Sequence, residues 1–250
     1  HSIVIIIMQR SGRIATRQNP TIGVDWRYYI LIAITAIWSS SALAETVNAA
    51  IDWKNCRQPV DERLVTPINK SLADTLLHTH NLLRQQLANG EIPNYPPASN
   101  MIQLKYDDHL GARAQVQANS CMLEHYCHGV TGIGYGQNIN RGTKDPVKVV
   151  EYWFAEKKYN VTVDNYQFSS KTGHFAQVAW AVVTKLGCGK SYCDVQYKTS
   201  TRHNVPYTTC NYFPPSLSQG KPVYLPGPPC SRCPKGYACS KEYPGLCKEQ

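Results

Sequence analysis

Gly173-His174-Phe175-Ala176-Gln177-Val178-Ala179-Trp180, followed by Gly187-Cys188-Gly189 and Cys210-Asn211-Tyr212-Phe213, is the stretch on which the fold turns. After Gly173 the apolar residues come in short runs broken by turn residues, which predicts strands over 177–184, 192–198 and 207–213. Upstream the apolar spacing lengthens to three or four residues. Leu72, Leu76, Leu77, Leu83 and Leu87 predict an amphipathic helix over 67–87 that stops near Asn89-Gly90. Asp107 or Asp108 caps a second helix, with Leu110, Ala114, Val116 and Ala118 largely on one side, which delivers Cys121 and His125 at its end. Asp145-Pro146 begins a third, predicted to bury Val147, Val150, Trp153 and Phe154. Helices first and strands last describe an α+β domain.

Outward from this domain the composition changes at both ends. Beyond Pro214 it becomes rich in Pro, Gly, Ser and Cys, and residues 216–250 are too few for a core of their own, so they read as a disulfide-dependent appendage. Towards the N-terminus, residues 28–38 are uncharged and mostly apolar, follow Arg10, Arg13, Arg17 and Arg27, and precede the small residues of Ser39-Ser40-Ser41-Ala42-Leu43-Ala44. Eleven helical residues reach roughly 16 Å, about half of a hydrocarbon core. Residues 1–44 are therefore expected to be a signal peptide with an N-terminal extension, cleaved after Ala44 and initiated at Met8, with a signal anchor as the alternative. Residues 45–66 form an arm before the domain over 67–215.

The chain carries a formal charge of +9, and cleavage after Ala44 removes four arginines and Asp25 to leave +6. Without a cluster of Lys and Arg this charge argues against nucleic-acid binding. All ten cysteines lie beyond Ala44, which points to an oxidising compartment and hence to secretion. The tripeptides Asn69-Lys70-Ser71 and Asn160-Val161-Thr162 are acceptors for N-glycosylation in that setting. Neither Gly-x-Ser-x-Gly nor His-Glu-x-x-His occurs, so no nucleophile or metalloprotease helix is marked, and the chain is not read as an enzyme.

In order along the chain stand His80-Asn81 with Arg84, Leu104-Lys105-Tyr106-Asp107, Cys121-Met122-Leu123-Glu124-His125, Gly136-Gln137-Asn138-Ile139 and Trp153-Phe154-Ala155-Glu156. The three motifs quoted at the outset complete the series. Together they resemble the CAP superfamily of cysteine-rich secretory, antigen 5 and pathogenesis-related proteins, and look most like the venom allergen-like proteins of parasitic flatworms. Cys230-Ser231-Arg232-Cys233-Pro234, closing at Cys239 and Cys247, looks like that family's hinge. One departure is Pro214-Pro215-Ser216-Leu217, where a Gly-Asn pair is usual.

The resemblance implies an α-β-α sandwich around an antiparallel sheet. It implies disulfides Cys121 to Cys193, Cys188 to Cys210, Cys230 to Cys239 and Cys233 to Cys247, which leaves Cys56 for Cys127. The family's cleft residues fall on His125, Gln137, Glu156 and His174, with a carboxamide in place of one carboxylate. No cofactor is required. The four side chains read either as a weak site for a divalent cation such as zinc, held by the two imidazoles and Glu156, or as a polar cluster whose members satisfy one another. Relatives bind sterols or fatty acids outside the cell, which implies a lipid carrier that meets membranes only to exchange its cargo. Tyr197 and Tyr207 mark the expected sterol loop, and the expected acyl groove lies between the first and third helices. A secreted protein that engages an extracellular receptor is the alternative, and a metal-dependent hydrolase the least favoured reading.

Overall fold

The structure, a computed structural model, describes residues 65–125 and 134–250. The expected signal segment, the arm up to residue 64 and the Cys56–Cys127 pair lie outside the described residues. Helix α1 (Lys70–Ala88) begins where the Asn69 Oδ1 accepts the Leu72 amide, and ends at Asn89, with Gly90 turning the chain away at φ +74°. Strand β1 (Lys105–Tyr106) leads into α2 (Asp108–Asn119), capped by Asp107 through the Leu110 amide. After β2 (Gly136–Arg141), Asp145 caps α3 (Pro146–Ala155) with Pro146 in its first turn. That helix buries Val149 and Val150 ahead of Trp153 and Phe154, whereas Val147, expected inside, lies half-buried. It tightens into a 3₁₀ turn, Glu156–Tyr159, stopped by Asn160 at φ +53°.

Where a strand is expected from Gln177, the chain instead forms helix α4 (Gly173–Ala179). Phe175, Ala176, Gln177, Val178 and Ala179 are all buried, and a short run buried on every side shows neither period. A distant residue decides the matter. Thr172 provides no side-chain cap, and the Glu156 carboxylate takes the amides of His174 and Phe175 at 2.9 and 3.1 Å. The strands that follow, β3 (Lys185–Gln196) and β4 (Thr201–Phe213), are longer than their apolar runs.

The sheet order is β1-β3-β4-β2, antiparallel except for the short parallel pairing of β1 with β3. Helix α2 covers one face of β3 and β4, and α1, α3 and α4 cover the other, giving an α-β-α sandwich. Alternation along β3 makes this work. Leu186 and Cys188 enter the core shared with α1, α3 and α4, while Gly187 and Gly189 face α2. A side chain at either glycine would run into helix backbone, at Gly111 and Leu110 for the first and at Gln115 and Ala114 for the second.

Four disulfides staple the described residues: Cys121–Cys193 from the end of α2 to β3, Cys188–Cys210 between facing residues of β3 and β4, Cys230–Cys239 and Cys233–Cys247. The bend after Phe213, which replaces the usual Gly-Asn pair, contains a cis bond to Pro214. The segment beyond it is disulfide-rich but is not the free-standing appendage its composition suggests. Val223, Tyr224, Tyr243 and Leu246 join the main core. The backbone of Cys247 bonds on both sides, its amide to Met101 at 2.7 Å and its carbonyl to Gln103 at 2.9 Å. Strands β5 (Tyr237–Cys239) and β6 (Cys247–Glu249) pair within this segment.

Candidate functional site

Glu156 and His174 meet where α3 gives way to α4. The Glu156 Oε1 lies 2.7 Å from the His174 Nδ1, and its other oxygen holds the two α4 amides, so one carboxylate caps a helix and orients an imidazole. The His174 ring stacks on Trp153 at 6.2 Å between centroids, with the planes 23° apart. The pair is partly open to solvent, at 34% exposure for the His174 side chain and 19% for Glu156.

His125 and Gln137 form a second pair on the other side of β2. The His125 Nδ1 is 2.9 Å from the Gln137 Oε1, the Gln137 Nε2 donates to the Asn211 Oδ1 at 2.9 Å, and the Asn211 Nδ2 donates to the Leu110 carbonyl at 3.3 Å. Each amide in that relay has its direction fixed by the next. The Gln137 oxygen can only accept, so the proton sits on the His125 Nδ1. His125 is exposed, and Gln137 is buried.

No hydrogen bond joins one pair directly to the other. What relates them is β2, because the residue after Gln137, Asn138, donates its amide nitrogen to the His174 carbonyl at 3.1 Å. Behind it runs a buried chain that the sequence marks only as fold signature. Asn138 Nδ2 donates to the Tyr212 hydroxyl at 3.2 Å, that hydroxyl donates to the His80 Nε2 at 2.8 Å, and the His80 Nδ1 donates to the Leu76 carbonyl at 2.7 Å. Burial, helped by the nearby Arg84 charge, pushes the His80 pKa down to about 4, against the bond to Leu76, and burial drives the Tyr212 hydroxyl well up. Asn138, Tyr212, Trp153 and Asn211 thus support the site. The alternation of β2 is the only local signal of this, since adjacent residues Gln137 and Asn138 must face opposite ways.

A divalent cation finds few ligands here. Both oxygens of Glu156 are engaged by N–H donors, and so is the Gln137 oxygen, which leaves Glu156 as an orienting partner of His174 rather than a ligand. Among the described residues the only convergent group of three metal-ligand side chains is Cys230, Cys233 and Cys247, all oxidised in disulfides. Among the described residues the ring partners of His174 are the Glu156 carboxylate and the Trp153 indole.

The two tyrosines of the expected sterol loop do not act together. Tyr197, 38% exposed, starts the turn between β3 and β4, whereas Tyr207 lies inside the sheet at 2%, opposite Arg141 and Ser191, where it can offer no loop surface. Between α1 and α3, where an acyl groove is expected, the helices pack directly on each other. A cavity of about 450 Å³ opens elsewhere, between the starts of α1 and α2 beside β1. Pro67, Ile68, Ala73, Tyr106 and Gly111 line it, with Lys70, Asp74 and Asp108 also at its wall. Asn69 and Asn160, where glycosylation is expected, are both exposed.

Residues 77–212 match the model of the cysteine-rich secretory protein family, CAP. A cysteine-rich venom protein of Tityus serrulatus is 36% identical over 195 residues, covering 72% of this chain and 47% of its own. Scoloptoxin SSD43 of Scolopendra dehaani is 36% identical over 191 residues, covering 72% of this chain and 86% of its own. The solved structure of Na-ASP-1 superposes with a TM-score of 0.63 at 28% identity, over 76% of this chain and 50% of that one. The chain therefore spans about half the length of the scorpion relative and of Na-ASP-1, and most of the centipede one.

Proposed function

The chain belongs to the cysteine-rich secretory protein family, and from that membership we propose that it is a secreted, non-enzymatic carrier of a small lipid, a fatty acid or sterol, outside the cell. The observation that carries the reading is the cavity of about 450 Å³ beside β1, within the ordinary range for a small-molecule site. Its wall of Pro67, Ile68, Ala73 and the Tyr106 ring suits an alkyl chain, while the Lys70 ammonium is held by Asp74 at 2.6 Å and Asp108 adds a second carboxylate, so the wall gives a carboxylate head no advantage over a sterol. Four disulfides and venom-protein relatives support secretion. The non-enzymatic reading is supported by a Glu156 carboxylate already holding three N–H groups and by Gln137, whose neutral amide cannot act as a base. Among the described residues neither His125 nor His174 belongs to a convergent group of three metal ligands, and carriage needs no cation.

The test is to express residues 45–250 from a eukaryotic secretory host, extract the purified protein into organic solvent for mass spectrometry, and titrate it with labelled palmitate and cholesterol. Saturable binding of palmitate or cholesterol, weakened at least tenfold in Ile68→Glu, is the expected result. No extracted lipid and no binding would overturn the reading and leave engagement of an extracellular receptor in its place.

A further inference from the structure

Strand β2 leaves the sheet at Arg141, opposite Tyr207, while β3 and β4 run on together as a two-stranded ribbon to the turn at 197–200. The ribbon is exposed over most of its length and carries arginine, lysine and tyrosine side chains. The Arg202 guanidinium lies 5.2 Å from the centroid of the Tyr197 ring. Arg141 reaches the Tyr207 hydroxyl at 3.5 Å. The Lys190 ammonium lies 5.6 Å over Tyr192, which is 58% exposed, and Lys198 sits in the turn itself. One carboxylate is present on the ribbon, Asp194, and it is engaged by His203 at 2.8 Å and by the Asn204 amide. Neither Arg141 nor Arg202 has a carboxylate partner among the described residues.

Arginines held against aromatic groups have already lost part of their rotamer freedom, and their N–H forks match tetrahedral oxyanions in paired hydrogen bonds. The exposed Tyr197 ring beside the Arg202 fork is a surface on which a sugar ring can lie. A narrow strip of this kind, several residues long, suits a linear polyanion better than a single small anion. In the oxidising space that the disulfides require, the linear polyanions bearing tetrahedral oxyanions on sugar rings are sulfated polysaccharides.

We propose that the β3–β4 ribbon is a binding site for a sulfated polysaccharide, with Arg141 and Arg202 holding sulfate groups and Tyr197 stacking on a sugar ring. The site is separate from the lipid cavity and stands or falls without it.

The full secreted chain is loaded on immobilised heparin and eluted with sodium chloride, beside Arg141→Gln/Arg202→Gln, Arg141→Lys/Arg202→Lys and a control, Lys221→Gln/Lys235→Gln, that removes the same charge from exposed positions elsewhere. The native protein is expected to elute above physiological ionic strength, the glutamine pair earlier by about 0.1 M or more, the lysine pair between them, and the control with the native protein. Four results would overturn the proposal: no retention of the native chain, equal loss in the control, no loss in the glutamine pair, or lysine variants that match the native chain. Sedimentation with phosphatidylserine vesicles gives the last check, because binding there with the same dependence on Arg141 and Arg202 assigns the ribbon to a membrane surface instead.

Discussion

Arg84 shows how far a single side chain can depart from its hydropathy. On a helical wheel it falls among the leucines of α1 and against its charge it is fully buried there, its guanidinium donating five hydrogen bonds to the carbonyls of Ile102, Val178, Trp180 and Ala181. Four carbonyls stand in for a counter-ion, and burial still pulls its pKa down to about 9. Replacing it with Leu strands those acceptors in the core and should lower stability by about 3–5 kcal/mol in urea unfolding, with Arg84→Lys recovering only part because an ammonium cannot reproduce the fork. His80, one turn before, is a pH-dependent liability. The unfolded chain binds a proton there near pH 6.5 and the folded chain only near about 4, so its contribution is intact above 6.5 and falls as the pH drops between those values. The loss amounts to roughly 3 kcal/mol by pH 4, and the slope of stability against pH over that window should flatten in His80→Gln measured against the native chain. Neither role is visible to a hydropathy pattern, because the acceptors of Arg84 and the Tyr212 partner of His80 lie 18 or more residues away. The two imidazoles of the candidate site and their neighbours Gln137 and Glu156 were legible as motif residues, but their division into two pairs was not.

At the level of elements, the first three helices could be read from caps and spacing because Asn69, Asp107 and Asp145 are local signals acting on local backbone. Helix α4 could not, since its cap comes from Glu156, seventeen residues before its first residue. Glu156→Ala should therefore do more than disturb His174. It exposes two orphan amides and should cost about 1–2 kcal/mol, seen as a lower melting temperature and as faster amide exchange at His174 and Phe175. Strand β2 was missed for a related reason, being an edge strand made largely of polar residues. The Gly-Cys-Gly of β3 was conspicuous in the sequence, and the reason for it is the distance at which α2 sits. Gly189→Ala places a methyl group inside the Gln115 backbone, so the helix must lift from the sheet, at an expected 2–3 kcal/mol or roughly the cost of a severe overpacking. Gly142→Ala meets nothing and should cost only about 1 kcal/mol for its φ of +97°, a contrast that thermal denaturation of the two variants will read directly.

For the molecule as a whole, the composition of residues 216–250 marks a disulfide-stapled segment, and the structure has one there. They are rich in Cys and Pro as a stapled appendage should be, yet a handful of apolar residues, Val223, Tyr224, Tyr243 and Leu246, places them in the main core. A chain stopped before Pro226 should be unable to form the native core, showing loss of the near-ultraviolet dichroism and a protease-sensitive body, whereas a true appendage would be removed without effect on either. The pairing of Cys247 with Met101 and Gln103 also bears on how such a protein is made. Synthesis proceeds from the N-terminus, and domains ordinarily begin to fold as they emerge. Here α1 and the 98–104 segment are complete early but lack one wall until residue 247 has been added. Part of their apolar surface stays uncovered until then, so the core closes only once the segment around Cys247 has been made.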